Sequence, residues 1–324
     1  MRKPAIAFFA ALLQLVVSGE AGFACDFCLL SQGISPLDTM KGSGVKISER
    51  YTVLDQVYQG TNRLGNPGAK ETHWTTELTG FYGITPEFML LAVLPYKSGK
   101  TTGELVQNPD GTLELDTAGA GRASGLGDVA LLGRYTFLKT ESPDSTTVMA
   151  GVAGIKFPSG STDAKTTDGE EYLDSHLQPG TGSTDYLLGL SFSHSLTRFS
   201  VSANLLGTIT TEGKFGTMTH QFGNSMNYDV TAKYRVAPEA FSPTKPQWFA
   251  AVGLNGEVRE REKIDGMTMG DSGGNTIYLS PGLQLVLVPH WIVEMTYQHA
   301  IYHNLYGIQL GETYKAVTGV TYLF

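Results

Sequence analysis

The last eleven residues, Tyr314 to Phe324, constrain the fold more than any other segment. Read as a strand, they put Tyr314, Ala316, Thr318, Val320, Tyr322 and Phe324 on one face, because successive side chains of a strand point to opposite sides. An apolar stripe that ends in aromatics, with Phe as the final residue, suits the closing strand of a barrel whose outer surface meets lipid. The other end of the chain carries the matching signal for export. Arg2 and Lys3 are basic, Ala5 to Val17 is apolar except for Gln14, and small residues follow, with Ala21 or Ala24 as cleavage positions. We therefore expect a signal peptide over 1–24, a periplasmic arm or plug over 25–44 and a barrel over 45–324.

Twelve segments are predicted as strands: 45–58, 72–83, 87–96, 127–138, 146–157, 184–194, 198–208, 226–236, 247–260, 275–287, 291–301 and 313–324. Their connections sort by parity. Links after even-numbered strands are short, such as Ile84-Thr85-Pro86, Ser195-Leu196-Thr197 and Val288-Pro289-His290, with Pro238 to Pro246 intermediate. Links after odd-numbered strands are mostly longer, Gly-rich and polar, the longest being 97–126 and 158–183. A membrane barrel shows this alternation, with tight periplasmic turns on one rim and long extracellular loops on the other. A soluble sandwich has no reason to sort its loops this way. The expected fold is all-β: an antiparallel, up-and-down transmembrane barrel of outer-membrane type with about 12 strands and both termini in the periplasm.

The strand faces agree. Tyr228, Val230, Ala232, Tyr234 and Val236 oppose Asn227, Asp229, Thr231, Lys233 and Arg235. Likewise Trp248, Ala250, Val252 and Leu254 oppose Asn255, Glu257 and Arg259. A polar face with charges of both signs suits a wet or salt-bridged lumen, and Trp74, Tyr82, Tyr96, Trp248 and Trp291 suit interfacial girdles. Two segments break the pattern. Phe88 to Tyr96 is apolar on both faces, so Met89, Leu91 and Val93 would point inward, either packed against an inward-folded loop or the N-terminal segment, or forming an apolar lumen patch. Glu49 and Asp55 fall on the otherwise apolar face of the first strand, which implies a bulge or a later start.

Without residues 1–24 the chain holds 21 basic and 30 acidic residues, a net charge of −9, which argues against nucleic-acid binding. The only cysteines, in Cys25-Asp26-Phe27-Cys28, are expected to form a disulfide in the oxidising periplasm. No His follows Cys28 for haem attachment, and nothing nearby completes a zinc site. If cleavage falls after Ala24, Cys25 becomes the first residue and a lipidation candidate, although Gly22-Phe23 is a poor lipoprotein signal. His299 and His303 lie about 13 Å apart along a strand, too far to share a metal. His176 and the acidic run from Asp163 to Glu171, with Asp174 beyond, are expected to be solvated loop groups. No metal or cofactor is expected.

Several phrases carry a resemblance. Tyr82-Gly83-Ile84-Thr85-Pro86 with Leu94-Pro95-Tyr96, Gly125-Leu126-Gly127-Asp128-Val129 leading to Arg134-Tyr135, Gly154-Ile155-Lys156-Phe157-Pro158-Ser159-Gly160, and Pro179-Gly180-Thr181-Gly182-Ser183-Thr184-Asp185 occur in order. Together they resemble the outer-membrane β-barrel family named for the meta-cleavage pathway of phenol degradation. The resemblance implies a channel or transporter for small, hydrophobic or aromatic compounds, and carries no catalytic residues.

The expected function is a passive outer-membrane channel for small molecules, with outer-membrane lipid, the barrel-assembly machinery and small solutes as partners. One alternative is a structural or partner-docking barrel that uses its N-terminal arm; another is a barrel hydrolase, for which no Ser–His–carboxylate or paired-carboxylate arrangement stands out. The lumen candidates are the inward charges Arg134, Lys156, Asp229, Lys233, Arg235, Glu257, Arg259 and Glu294. They form either a stiffening salt-bridge lattice or a charged constriction. Lys233, Arg235 and Arg259, on neighbouring strands, are expected to share one wall of that constriction.

Overall fold

The computed structural model describes residues 42–324 apart from 170, 217, 243, 288 and 289; the expected signal peptide, Cys25, Cys28 and the arm up to residue 41 lie outside the described residues. Eleven strands close into one antiparallel ring. They are β1 (Gly44–Gly60), β2 (Glu71–Gly83), β3 (Phe88–Thr101), β4 (Ala130–Ser142), β5 (Ser145–Lys156), β6 (Asp185–Leu196), β7 (Phe199–Ile209), β8 (Ser225–Ala237), β9 (Gln247–Arg259), β10 (Gly274–Leu287) and β11 (Trp291–Leu323). The ring closes where β11 meets β1, with Gly44 opposite Leu323 and Gly60 opposite Leu305.

β11 runs for 33 residues and crosses the wall twice. Its first half pairs with β10 and its second half with β1. The halves fold back on each other: Trp291 packs on Tyr322 at 4.7 Å between ring centroids, and His303 Nε2 lies 2.9 Å from the Glu312 carbonyl oxygen. Gly307 supplies the positive φ of 58° that the tight reversal requires. The wall is therefore crossed twelve times, as the sequence predicts, but the loop expected over 302–312 is continuous strand. At the other long-loop ends, β3 outlasts β4, and Gly121–Leu126 pairs with Tyr96–Thr101 to extend the wall.

The faces are assigned as the alternation requires. On β1, Lys46, Ser48, Arg50 and Thr52 are buried inward while Val45 and Ile47 are exposed outward. On the last crossing Lys315, Val317 and Thr321 are buried, and Val320 and Phe324 are exposed. Exposed aromatics sit near both strand ends: Tyr82, Trp248 and Trp291 by the short turns, Trp74 and Tyr186 by the long loops. The irregularity expected in β1 is a bulge, with register shifts around Leu54. The outward acid Glu49 is held by its neighbours, accepting hydrogen bonds from Trp74 Nε1 (2.5 Å) and Thr76 Oγ1 (2.9 Å). Asp55 accepts one from Thr313 Oγ1.

Candidate functional site in the lumen

Three of the sequence phrases meet at one point. Lys156, the last residue of β5, forms ion pairs with Asp185 at 2.6 Å and Asp128 at 3.3 Å. Its Nζ also donates to Thr181 Oγ1 at 2.6 Å. Asp128 accepts from the Gly160 N–H (2.9 Å) and the Thr181 N–H (2.8 Å), and Asp185 accepts from Ser183 Oγ and the Thr211 N–H. The glycines are explained by close approach: a Cβ on Gly160 would lie 2.6 Å from Gly180 Cα, and one on Gly180 2.4 Å from the Gly160 oxygen. This knot ties both ends of the β5–β6 loop, residues 157–184, to the inner wall.

The other inward charges are also held by partners. Lys46 pairs with Glu294, Arg259 with Glu257 at 2.8 Å, and Lys315 with Glu312 at 2.8 Å. Asp229 accepts from Asn204 Nδ2 at 3.0 Å, Lys233 donates to Gln284 Oε1 at 3.2 Å, and Arg235 donates to the Thr197 carbonyl at 3.0 Å. Arg134 donates to Thr136 Oγ1 at 3.0 Å. The expected shared wall of Lys233, Arg235 and Arg259 is not formed. Arg235 stands opposite Phe249, whereas Arg259 stands opposite Ser225. Antiparallel neighbours run in opposite directions, so Arg259 lies ten residues of strand, about 33 Å, beyond the level of Arg235. Lys233 and Arg235 belong to the short-turn end and Arg259 to the long-loop end.

The long-loop mouth holds a feature that the sequence reading missed. Residues Ser175–Leu177 form a single 3-10 turn, capped by Asp174, whose carboxylate accepts from the His176 N–H at 3.1 Å. The His176 ring bridges two carboxylates, with Nδ1 2.5 Å from Asp174 Oδ1 and Nε2 3.0 Å from Glu262 Oε1. Glu262, in the β9–β10 loop and 3% exposed, also meets His220 Nε2 at 3.0 Å. Burial pulls the His176 pKa down, but the Glu262 and Asp174 charges outweigh it and hold it well above 6.5. Burial would raise Glu262, yet His176 and His220 beside it drive its pKa far below the carboxylate range. His176 is thus a paired group rather than the solvated one expected. The Asp-Ser-His turn was visible in sequence; its partner 86 residues away was not.

His176 borders two separate recesses. One, of about 60 Å³, is walled by Lys97, Lys156, Asp185, Thr208, Ser225 and Arg259, from β3 and from β5 to β9. The other, of about 230 Å³, is walled by Thr52, Glu71, His73, Thr101 and Leu310, from β1 to β3 and β11. The turn stands between opposite arcs of the ring. The larger recess is acidic: Glu71, Glu104, Asp174 and Asp271 line it, and burial, reinforced by Asp174 and Glu171, raises the Glu104 pKa.

Met89, Leu91 and Val93 do point inward, and they are not alone. With Phe81, Ala130, Leu132, Val152, Leu187 and Leu206 they form one buried apolar cluster on the inner side of β2 to β7. Beside it lies an open recess of about 1070 Å³ bordered by Phe81, Leu91, Leu132 and Leu187 of this cluster and by outward Leu90, Leu131 and Leu188. Among the described residues, no group of three or more His, Cys, Asp or Glu is placed to hold a metal.

Comparison with known proteins places this architecture. The outer membrane channel COG4313 from Pseudomonas putida F1 superposes with a TM-score of 0.65 at 15% identity, over 91% of this chain and 98% of that one. The β domain of the Bordetella autotransporter BrkA gives a TM-score of 0.43 at 12% identity, over 87% and 100%. The CymD monoaromatic hydrocarbon channel gives 0.41 at 11%, over 94% of each chain. No curated protein matches by sequence. The ring, its lipid-facing belt and its loop parity are those of a bacterial outer-membrane β-barrel. The sequence profile described as "Putative MetA-pathway of phenol degradation" matches residues 61–305, and the chain belongs to that family.

Proposed function

We propose that this barrel is a passive outer-membrane channel for small molecules, with apolar and aromatic compounds as its preferred solutes. The observation that carries this reading is the apolar cluster from Phe81 to Leu206, inside a barrel whose inner wall is otherwise lined by charges and hydroxyls. This cluster is the part of the inner wall that an apolar solute would meet without displacing water from charges. The similar Pseudomonas putida structure is itself named an outer membrane channel, which is consistent with this reading. The paired lumen charges support a stiffening lattice, with Arg259, Glu257 and Lys156 near the mouth as the groups that ions would meet.

Proteoliposomes test the proposal. The purified protein should speed entry of a monoaromatic hydrocarbon, and Leu91→Asn with Leu187→Asn should slow that entry while leaving ion conductance unchanged. Equal aromatic flux in empty and protein-containing vesicles would remove the reading.

A further inference from the structure

The β5–β6 loop is tied at both ends by the Lys156 knot, yet its middle reaches across the mouth. Between these ties, Leu173 and Leu177 pack with Ala123 in a small buried cluster, and Leu177 sits against Gly99 of β3. On the far side the loop is held by Glu262, which receives His176 at 3.0 Å and Ser175 Oγ at 3.5 Å. Glu262 is in turn fixed from behind: its N–H donates to Ser272 Oγ at 3.0 Å, and its second oxygen meets His220. One carboxylate therefore joins three loops, the one after β5, the one after β7 and the one after β9.

From this geometry we infer that the His176–Glu262 pair sets the width of the passage, holding residues 173–178 as a septum that splits the mouth into two recesses. The inference rests on the channel reading and deepens it by naming the groups that decide which solutes pass. Both recesses are small, the one about 60 Å³ and the other about 230 Å³. The two meet only at His176, which borders both. Loss of the pair frees the turn from the β9–β10 loop and joins the recesses into one opening. The wall stays intact, because the knot at Lys156, Asp128 and Asp185 does not use His176. His176 acts here as a positioning residue, and the septum it places is the selective element.

The full-length protein in planar bilayers tests this. His176→Ala and Glu262→Gln should each raise single-channel conductance roughly twofold or more, as widening a constriction does. His176→Lys keeps a cation between the two carboxylates and should stay near the wild-type value. Heat-modifiable migration on a gel reports whether each variant is folded. Folded His176→Ala with unchanged conductance overturns the inference, and so does His176→Lys that opens as widely as His176→Ala. If neither His176→Ala nor His176→Lys assembles, His176 is a folding residue and the inference is equally overturned. Aromatic entry into vesicles, measured on the wild type, separates this result from the channel reading: entry without any change in the variants sinks the septum alone, and absence of entry sinks the channel.

Discussion

The inner wall has two unlike halves. From β8 through β11 to β1 it is a lattice of buried pairs, Glu257–Arg259, Lys315–Glu312 and Lys46–Glu294, with amides and hydroxyls between them. From β2 to β7 the inner face carries one continuous apolar cluster, Phe81 to Leu206, set among hydroxyls and a few charges. The halves teach different lessons about what holds a membrane barrel together. In the first half each buried charge depends on a specific partner, and removal of one partner strands the other. In the second, side chains need only be apolar and of the right volume, so neighbours substitute for one another more freely. On the proposed reading, the first half supplies stiffness and the second the preference for apolar solutes.

The largest effect should come from the charge knot that borders the apolar half. Lys156→Ala leaves Asp128 and Asp185 buried side by side without a counter-ion, and removing one partner of a buried pair costs about 3–5 kcal/mol. Urea unfolding followed by the heat-modifiable band should show this loss. Wild-type resistance would mean that buried ion pairs contribute little to the stability of this wall.

Next in size is Leu187→Ala in the apolar half, where deletion of a buried leucine costs about 2–5 kcal/mol and Leu187 is 0% exposed. Leu187→Met should recover most of it. No recovery would show that the apolar half is as particular about its partners as the charged half.

A smaller, reversible effect is expected from pH. The folded pKa of His176 is raised, so its pairing is complete below the ordinary imidazole range and is lost as pH rises through the folded value. Glu262 is lowered and stays ionised well into acid. The ring faces Asp174 and Glu262 directly, with His220 behind Glu262; Lys97, Lys156 and Arg259 lie in one recess, and Glu71, His73 and Glu104 in the other. Conductance should hold steady through neutrality and climb in alkaline buffer. A climb on the acid side instead would place the sensitive group among the carboxylates.

The smallest effect should be on ion preference. Arg259→Ala leaves Glu257 to face the mouth and should tilt reversal potentials in a salt gradient towards cations. Arg235→Ala, at the far end and bound to a carbonyl, should add little. If Arg235 proves the stronger of the two, the selective constriction lies at the periplasmic end.

Much of this was readable in advance because a strand repeats every two residues and a barrel sorts its loops by parity. Alternation in 226–236 and 247–260 fixed which residues face inward, and the all-apolar run at Phe88 to Tyr96 announced the apolar cluster. Two kinds of information were hidden. Height in the wall depends on register, so Arg235 and Arg259 could share a face in sequence and still stand at opposite rims. Pairing between loops depends on folded proximity alone, so nothing in the local sequence tied His176 to Glu262. The turn at Gly307 escaped for a third reason: a single glycine reverses the chain there, with none of the polar padding that marks the other long-loop links.

The pinned ends of the β5–β6 loop have one more consequence. Gly160 and Gly180 touch, and the Gly180 N–H donates to the Ser161 carbonyl at 2.8 Å, so the stretch between them leaves and re-enters the wall at one spot. A segment anchored in this way behaves as a cassette. Lengthening it adds only slowly to the entropy of closing the loop, and its exchange leaves the anchoring knot in place. A lineage of such barrels can therefore retune its filter by rewriting 162–178 while the scaffold is inherited unchanged, and a grafted loop from a relative should carry its donor's preference with it.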